Sequence, residues 1–238
     1  MAQELNNFKI IVTGGTGELG QIVIDEFIKK GASVFTNFRD QARFAELEKA
    51  INSNEKLVGY QADLTKETEV VSFFKHFKKN FNRLDIFLHI MGGFWMGTEL
   101  AETSYEKWEY MIDLNLNSAF LCTKEAFKIM KAQCSGKIFT LSAKSAEEFP
   151  AQMGAYVISK SSVLALTRVL ANEGKQYNIQ ANSILPSIID TKANRRGMPD
   201  ADYSEWVTPK AIARLLVQLC KPESQAVSHS TIKVYGKL

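Results

Sequence analysis

The sequence predicts an α/β protein, a single domain built on a doubly wound, seven-stranded parallel sheet with helices on both faces. Three observations point to it. Short apolar runs alternate with stretches of helical periodicity from one end of the chain to the other. A glycine-rich turn, Gly14-Gly15-Thr16-Gly17-Glu18-Leu19-Gly20, joins the first run to the first helical stretch. No Pro/Gly/Ser-rich linker, repeat or low-complexity tract divides the chain, so residues 1–238 read as one domain.

Taken in order, Ile10-Ile11-Val12 is a buried strand, and residues 19–30 carry Ile22, Val23, Phe27 and Ile28 in helical rhythm. Further strands are expected at 33–36, 57–61, 85–89, 137–141, 179–185 and 231–235, and helices near 41–51, 66–79, 105–132, 156–177 and 209–220. Pro186 is expected to end the sixth strand. Strands that alternate with helices pair in parallel and place helices on both faces. With glycines that let backbone N–H groups approach a pyrophosphate, this is the pattern of a dinucleotide-binding Rossmann fold.

Composition narrows the partners. The chain has 45% hydrophobic residues and a formal net charge of +3, with Lys and Arg scattered, which argues against a nucleic-acid stripe and for a small-molecule ligand. Cys122, Cys134 and Cys220 have no metal-like spacing, so no metal is expected and reduced thiols in a cytoplasmic protein are the simplest reading. No apolar run approaches the ~18 residues needed to span a bilayer, and Met1–Asn7 lacks the blocks of a signal peptide.

The chemistry is expected at Tyr156 and Lys160, in Gly154-Ala155-Tyr156-Val157-Ile158-Ser159-Lys160. A spacing of four puts both on one helical face. A nearby ammonium favours the phenolate, and lowering a phenol's pKa by about 3 needs roughly 4 kcal/mol of differential stabilisation.

With these motifs the chain resembles the short-chain dehydrogenase/reductase family from its first strand to its last. The resemblance implies that Tyr156 protonates the substrate oxygen as hydride arrives, Lys160 lowers its pKa and holds the nicotinamide ribose, and Asn115 positions water in a proton relay. It implies cofactor contacts from Gly14, Gly15, Thr16, Gly17, Glu18 and Leu19, and from Asp63, Leu64, Met91, Gly92, Pro186, Ile188 and Thr191. On the residues alone, Asn115 also reads as a helix-kink residue and Asp63 as a cap for the next helix. A homodimer or homotetramer packed through the 105–132 and 156–177 helices is a further implication.

The chain departs from the family pattern in three places. The usual serine, 13 residues before the tyrosine, is Ala143; Ser142 is the expected substitute, with Ser145 as the alternative. The usual Asn-Asn-Ala-Gly is His89-Ile90-Met91-Gly92, with His89 read as structural. Glu18 stands where a glycine is common. These departures, with Gly92-Gly93-Phe94 and the stretch from Leu185 to Trp206, resemble the quinonoid dihydropteridine reductase branch. Phe94 or Trp95 would then stack on a flat heterocycle.

Cofactor choice turns on Asn37-Phe38-Arg39-Asp40. A basic residue pairs with the 2′-phosphate of NADP and an acidic one with the 2′-hydroxyl of NAD. Arg39 is nearer the expected position, with Asn37 adding a hydrogen bond, so NADP(H) is favoured over NAD(H). The polar segment 187–208 is expected to form a mobile lid anchored by Trp206, with Arg195 and Arg196 either solvated or facing an anionic substrate. Three functional readings stand: reduction of a quinonoid dihydropterin, reduction of a ketone such as a 3-oxoacyl thioester, and a non-catalytic NADP(H) sensor.

Overall fold

A computed structural model describes residues 5–52 and 55–237. Seven strands pair in parallel in the order β3-β2-β1-β4-β5-β6-β7. They are β1 (Lys9–Thr13), β2 (Ser33–Phe38), β3 (Leu57–Gln61), β4 (Ile86–His89), β5 (Gly136–Leu141), β6 (Ile179–Pro186) and β7 (Thr231–Val234). The helices are α1 (Glu18–Lys29), α2 (Gln41–Ile51), α3 (Glu67–Asn80), α4 (Tyr105–Ile112), α5 (Ser118–Gln133), α6 (Ser145–Glu148), α7 (Gly154–Gly174), α8 (Lys192–Gly197) and α9 (Pro209–Cys220).

Strand alternation divides the core between the two faces. Ile10, Val12, Val34, Ile86, Leu88 and Phe139 pack with α1, α2 and α9, while Ile11, Phe35, Phe87 and Ile138 pack with α3, α5 and α7. Both faces of the sheet are covered, so its strands read as continuous apolar runs. The order reverses direction between β1 and β4, which opens a crevice at the carboxyl ends of the strands.

Three local features differ from the sequence reading. The expected helix at 105–132 is interrupted at Asp113–Asn117 by a wide π-type turn that separates α4 from α5. The segment 187–208 is not one loop. Ile189 and Val207 form a bridge at its base, α8 and a single turn at Tyr203–Glu205 fill its tip, and Trp206 is buried as the far anchor. Beyond β5, α6 coils where only loop was expected.

Phe35 is fully buried, with its ring centroid 4.8 Å from Phe73, 5.5 Å from Phe77 and 6.4 Å from Phe81. Phe35→Ala is expected to lower the unfolding free energy by about 3–5 kcal/mol, read as a reduced urea midpoint.

Candidate active site

The glycine turn sits over the crevice. Gly14 has φ +75, a conformation that any residue with a Cβ adopts at a penalty, and its N–H donates to Asn37 Oδ1 at 2.9 Å. Gly15 is buried beneath α1, and Thr16 offers its carbonyl to Gln21 Nε2 at 3.0 Å. Gly17 precedes α1 and carries no capping side chain, so the first N–H groups of the helix have no side-chain partner. Leu19 points into the core, whereas the Glu18 carboxylate accepts the Lys192 N–H at 2.7 Å. An open helix N-terminus behind a glycine turn fits a pyrophosphate.

At the adenine side, Asn37 is 5% exposed and its amide is committed to Gly14 N and the Ala62 carbonyl, so it braces the turn rather than facing a ligand. Arg39 follows β2 and is exposed, with no hydrogen bond or ion pair from its guanidinium among the described residues. Asp40 instead caps α2, accepting from Ala42 N at 2.8 Å. The Asp63 carboxylate accepts from the Thr65 hydroxyl at 2.7 Å and the Thr65 N–H at 3.1 Å. Burial acts to raise its pKa, but these bonds, with Lys66 and Arg39 nearby, hold it below the usual carboxylate range. Leu64 is fully buried in the core on the α3 side of the sheet.

At the other end, α7 presents Tyr156 and Lys160 together. Lys160 Nζ donates to the Leu141 carbonyl at 3.0 Å, and burial pulls its pKa down to about 8. Burial pushes Tyr156 up to about 12, and a hydrogen bond with the Ser145 side chain acts against that rise. The Lys160 ammonium is directed at the Leu141 carbonyl, at the end of β5. Asn115 lies in the π-type turn, 1% exposed. Its amide accepts from Gly93 N at 2.9 Å and donates to the Gly93 carbonyl at 3.2 Å and to Ser159 Oγ at 3.0 Å. A Cβ at Gly92 would lie 2.7 Å from Asn115 Oδ1 and 2.8 Å from Lys160 Nζ. Both polar groups therefore converge on Gly92, where a side chain would displace one of them.

The serine expectation is corrected by geometry. Ser142 is buried and donates to the Lys160 carbonyl at 2.8 Å, so its hydroxyl braces α7. Ser145, the alternative, is the one that meets Tyr156. Alternation at the strand end accounts for this: β5 runs to Leu141, Ser142 N–H still bonds the Ile184 carbonyl at 2.9 Å, and the chain coils only after it, with Ala146 N bonded to the Ala143 carbonyl at 3.0 Å. Phe94 faces Tyr156 edge-on, centroids 5.0 Å apart at 79°, whereas Trp95 packs beside Met111, Leu114 and Ala155 under Lys107.

Met91 donates its N–H to Thr13 Oγ1 at 3.4 Å. Pro186 closes β6 and offers its carbonyl to Lys144 N at 2.8 Å, while the Ile188 carbonyl takes Val207 N at 2.9 Å. Thr191 caps α8, its hydroxyl accepting from Asn194 N at 3.2 Å. Arg195 is bound to Asp190 at 2.6 and 2.8 Å and lies over the Tyr203 ring, so it is not free to greet an anionic substrate. His89, buried and held well below its usual pKa, at about 3, by desolvation and by Lys160, is structural as expected.

The short chain dehydrogenase family model matches residues 9–201. The chain belongs to that family. It is 27% identical over 233 residues to an uncharacterized oxidoreductase of Staphylococcus saprophyticus, covering 97% of this chain and 98% of the relative. A D-beta-hydroxybutyrate dehydrogenase of Cupriavidus necator is 28% identical over 225 residues, covering 94% of this chain and 87% of the relative. The solved structure of ElxO with NADP bound superposes with a TM-score of 0.90 at 24% identity, covering 97% of this chain and 98% of that one. As a short-chain dehydrogenase/reductase, the protein is an NAD(P)-dependent oxidoreductase. Among the described residues no His, Cys, Asp or Glu group is arranged to hold a metal, and no helix is long and apolar enough to cross a membrane.

The depressed Lys160 pKa has a thermodynamic signature. Below pH 8 both folded and unfolded chains carry the proton and the burial penalty is complete; between about 8 and the free-lysine value of 10.5 only the unfolded chain holds it, so rising pH relieves the penalty. Comparing the parent with Lys160→Met by urea unfolding, the difference is expected to move in the parent's favour by about 2 kcal/mol between pH 7 and 9.5.

Proposed function

We propose that the protein is an NADP(H)-preferring reductase of a small carbonyl compound, with Tyr156 as proton donor. The observation that carries this reading is the shared α7 face of Tyr156 and Lys160; beside the phenol stands the Ser145 side chain. It supplies the second hydroxyl that Ala143 lacks, so a carbonyl oxygen has two O–H donors to settle between. The bound nicotinamide supplies the hydride. Tyr156, kept protonated at neutral pH by burial, holds the proton the developing alkoxide needs, which favours the reductive direction. Ser145 orients the substrate oxygen. Lys160, with one acceptor at Leu141, has further N–H groups for a ribose. Asn115 holds the Gly93 peptide and, by family resemblance, the water that returns a proton to the site. The hydroxybutyrate dehydrogenase relative supports a carbonyl–alcohol pair.

Reduction of a quinonoid dihydropterin is the second reading, favoured by Phe94, half exposed beside Tyr156, where a flat ring can stack. A non-catalytic NADP(H) sensor fits less well, since it leaves the Ser145–Tyr156 contact without a role. NADP(H) preference is supported by Arg39 being open while Asp40 is engaged at the α2 cap. Exposed Tyr110, Phe120 and Val169, on α4, α5 and α7, support a homo-oligomer packed through those helices.

In NADPH oxidation with a panel of ketones, 3-oxoacyl thioesters and quinonoid dihydropterin, Tyr156→Phe is expected to lower kcat by about 10²–10⁴. Ser145→Ala should lower it by at least about tenfold, and Ser142→Ala should not. A Ser145→Ala enzyme as fast as the parent on every carbonyl would remove the carbonyl reading and leave the pterin. Arg39→Asp is expected to shift the NADPH/NADH ratio of kcat/KM toward NADH by about 10–100-fold.

A further inference from the structure

Residues 192–206, the tip of the segment that closes over the crevice, are tied to the glycine turn by one hydrogen bond among the described residues. It is the 2.7 Å contact from Lys192 N–H to Glu18 Oε2, across 174 residues of sequence. The other hydrogen bonds of residues 192–206 are internal, such as Tyr203 to the Pro199 carbonyl and Met198 N to the Asn194 carbonyl, run back to residues 189–191, as from Arg195 to the Asp190 carboxylate and from Asn194 Nδ2 to the Ile189 carbonyl, or run to the C-terminal stretch, as from Lys237 N to the Glu205 carbonyl. Its base is held separately by the Ile189–Val207 bridge and buried Trp206. The tip can therefore exchange its polar tie without disturbing its anchor.

Glu18 is also the first residue of α1, behind a Gly17 that offers no cap. The carboxylate stands where the helix dipole and open N–H groups favour an anion. It holds a backbone N–H from the opposite wall of the crevice.

We propose that Glu18 is an internal competitor for the cofactor's diphosphate: in the cofactor-free enzyme its carboxylate bridges the α1 N-terminus and the lid, and the arriving diphosphate displaces it. The inference rests on the dinucleotide-binding reading and adds to it a residue that sets cofactor affinity and release. Like charges that share the position repel, so the carboxylate weakens the bound state while it holds the free lid closed.

The test combines amide hydrogen exchange with NADPH titration calorimetry on the full chain, its Glu18→Gln variant, which keeps an acceptor without the charge, and Glu18→Ala. In the cofactor-free protein, exchange at Lys192 is expected to speed by about tenfold or more in Glu18→Ala and less in Glu18→Gln. The NADPH Kd is expected to fall by about fivefold in both. Faster exchange with an unchanged or larger Kd in both variants would overturn the competitor and leave Glu18 a simple tether. Unchanged exchange at Lys192 would overturn the bridge itself. Absence of NADPH binding to the parent would remove the dinucleotide reading, and this inference with it.

Discussion

Parallel pairing of β1 with β4, Ile10 opposite Ile86 through Thr13 opposite His89, is the constraint on which the site depends. Because every strand runs the same way, the chain leaves each one at the same edge of the sheet. Residues more than a hundred positions apart thus meet there without any local signal that they should. The reversal of strand order at this pair leaves a crevice between the turn after β1 and the segment after β4. Met91 lies close against Gly14, its Cα 3.0 Å from where a Cβ on that glycine would stand.

The same junction is braced by a polar chain whose directions follow from its donors. Ser118 Oγ gives its hydrogen to the Leu114 carbonyl at 2.7 Å, so toward His89 Nε2, 3.4 Å away, it accepts. His89 Nδ1 then accepts from Thr13 Oγ1 at 3.1 Å. Of the two neutral tautomers, the Nε2–H form is the one that satisfies both contacts. Burial, which opposes the imidazolium, keeps the ring in that form. The chain joins the ends of β1 and β4 to the π-type turn from which Asn115 grips Gly93, so the wall opposite Tyr156 is positioned by hydrogen bonds rather than by apolar packing alone. The polarity at the other wall is of a different kind. There Lys160 and Tyr156 are both desolvated, and each leans on a neighbour from the β5 exit: the Leu141 carbonyl and the Ser145 hydroxyl.

Much of this was legible in the residues. Hydrophobic periodicity located all seven strands: the central ones are covered on both faces and read as continuous apolar runs, while the edge strands β3 and β7 are half-buried and mix apolar with polar residues. The glycine turn and the Tyr156–Lys160 spacing are local features, set by φ at Gly14 and by the pitch of α7, and both appear as expected. Helix 105–132 misled because a π-type turn inserts its extra residue without breaking the apolar rhythm on either side. Ser142 could not be settled from the residues because its hydroxyl is spent on the Lys160 carbonyl of α7, a contact made only by folding.

The sequence by itself therefore determined the elements, their order and the residue types at the crevice, since propensity and periodicity act over a few neighbours. Only the tertiary structure decided which polar groups are spent and which are open. Asn37 is taken up by Gly14 and Ala62, Asp40 by the α2 cap and Arg195 by Asp190, while the Arg39 guanidinium makes no hydrogen bond or ion pair among the described residues. Hydrogen-bond partnership depends on atoms brought within about 3 Å by folding, and no spacing along the chain encodes that.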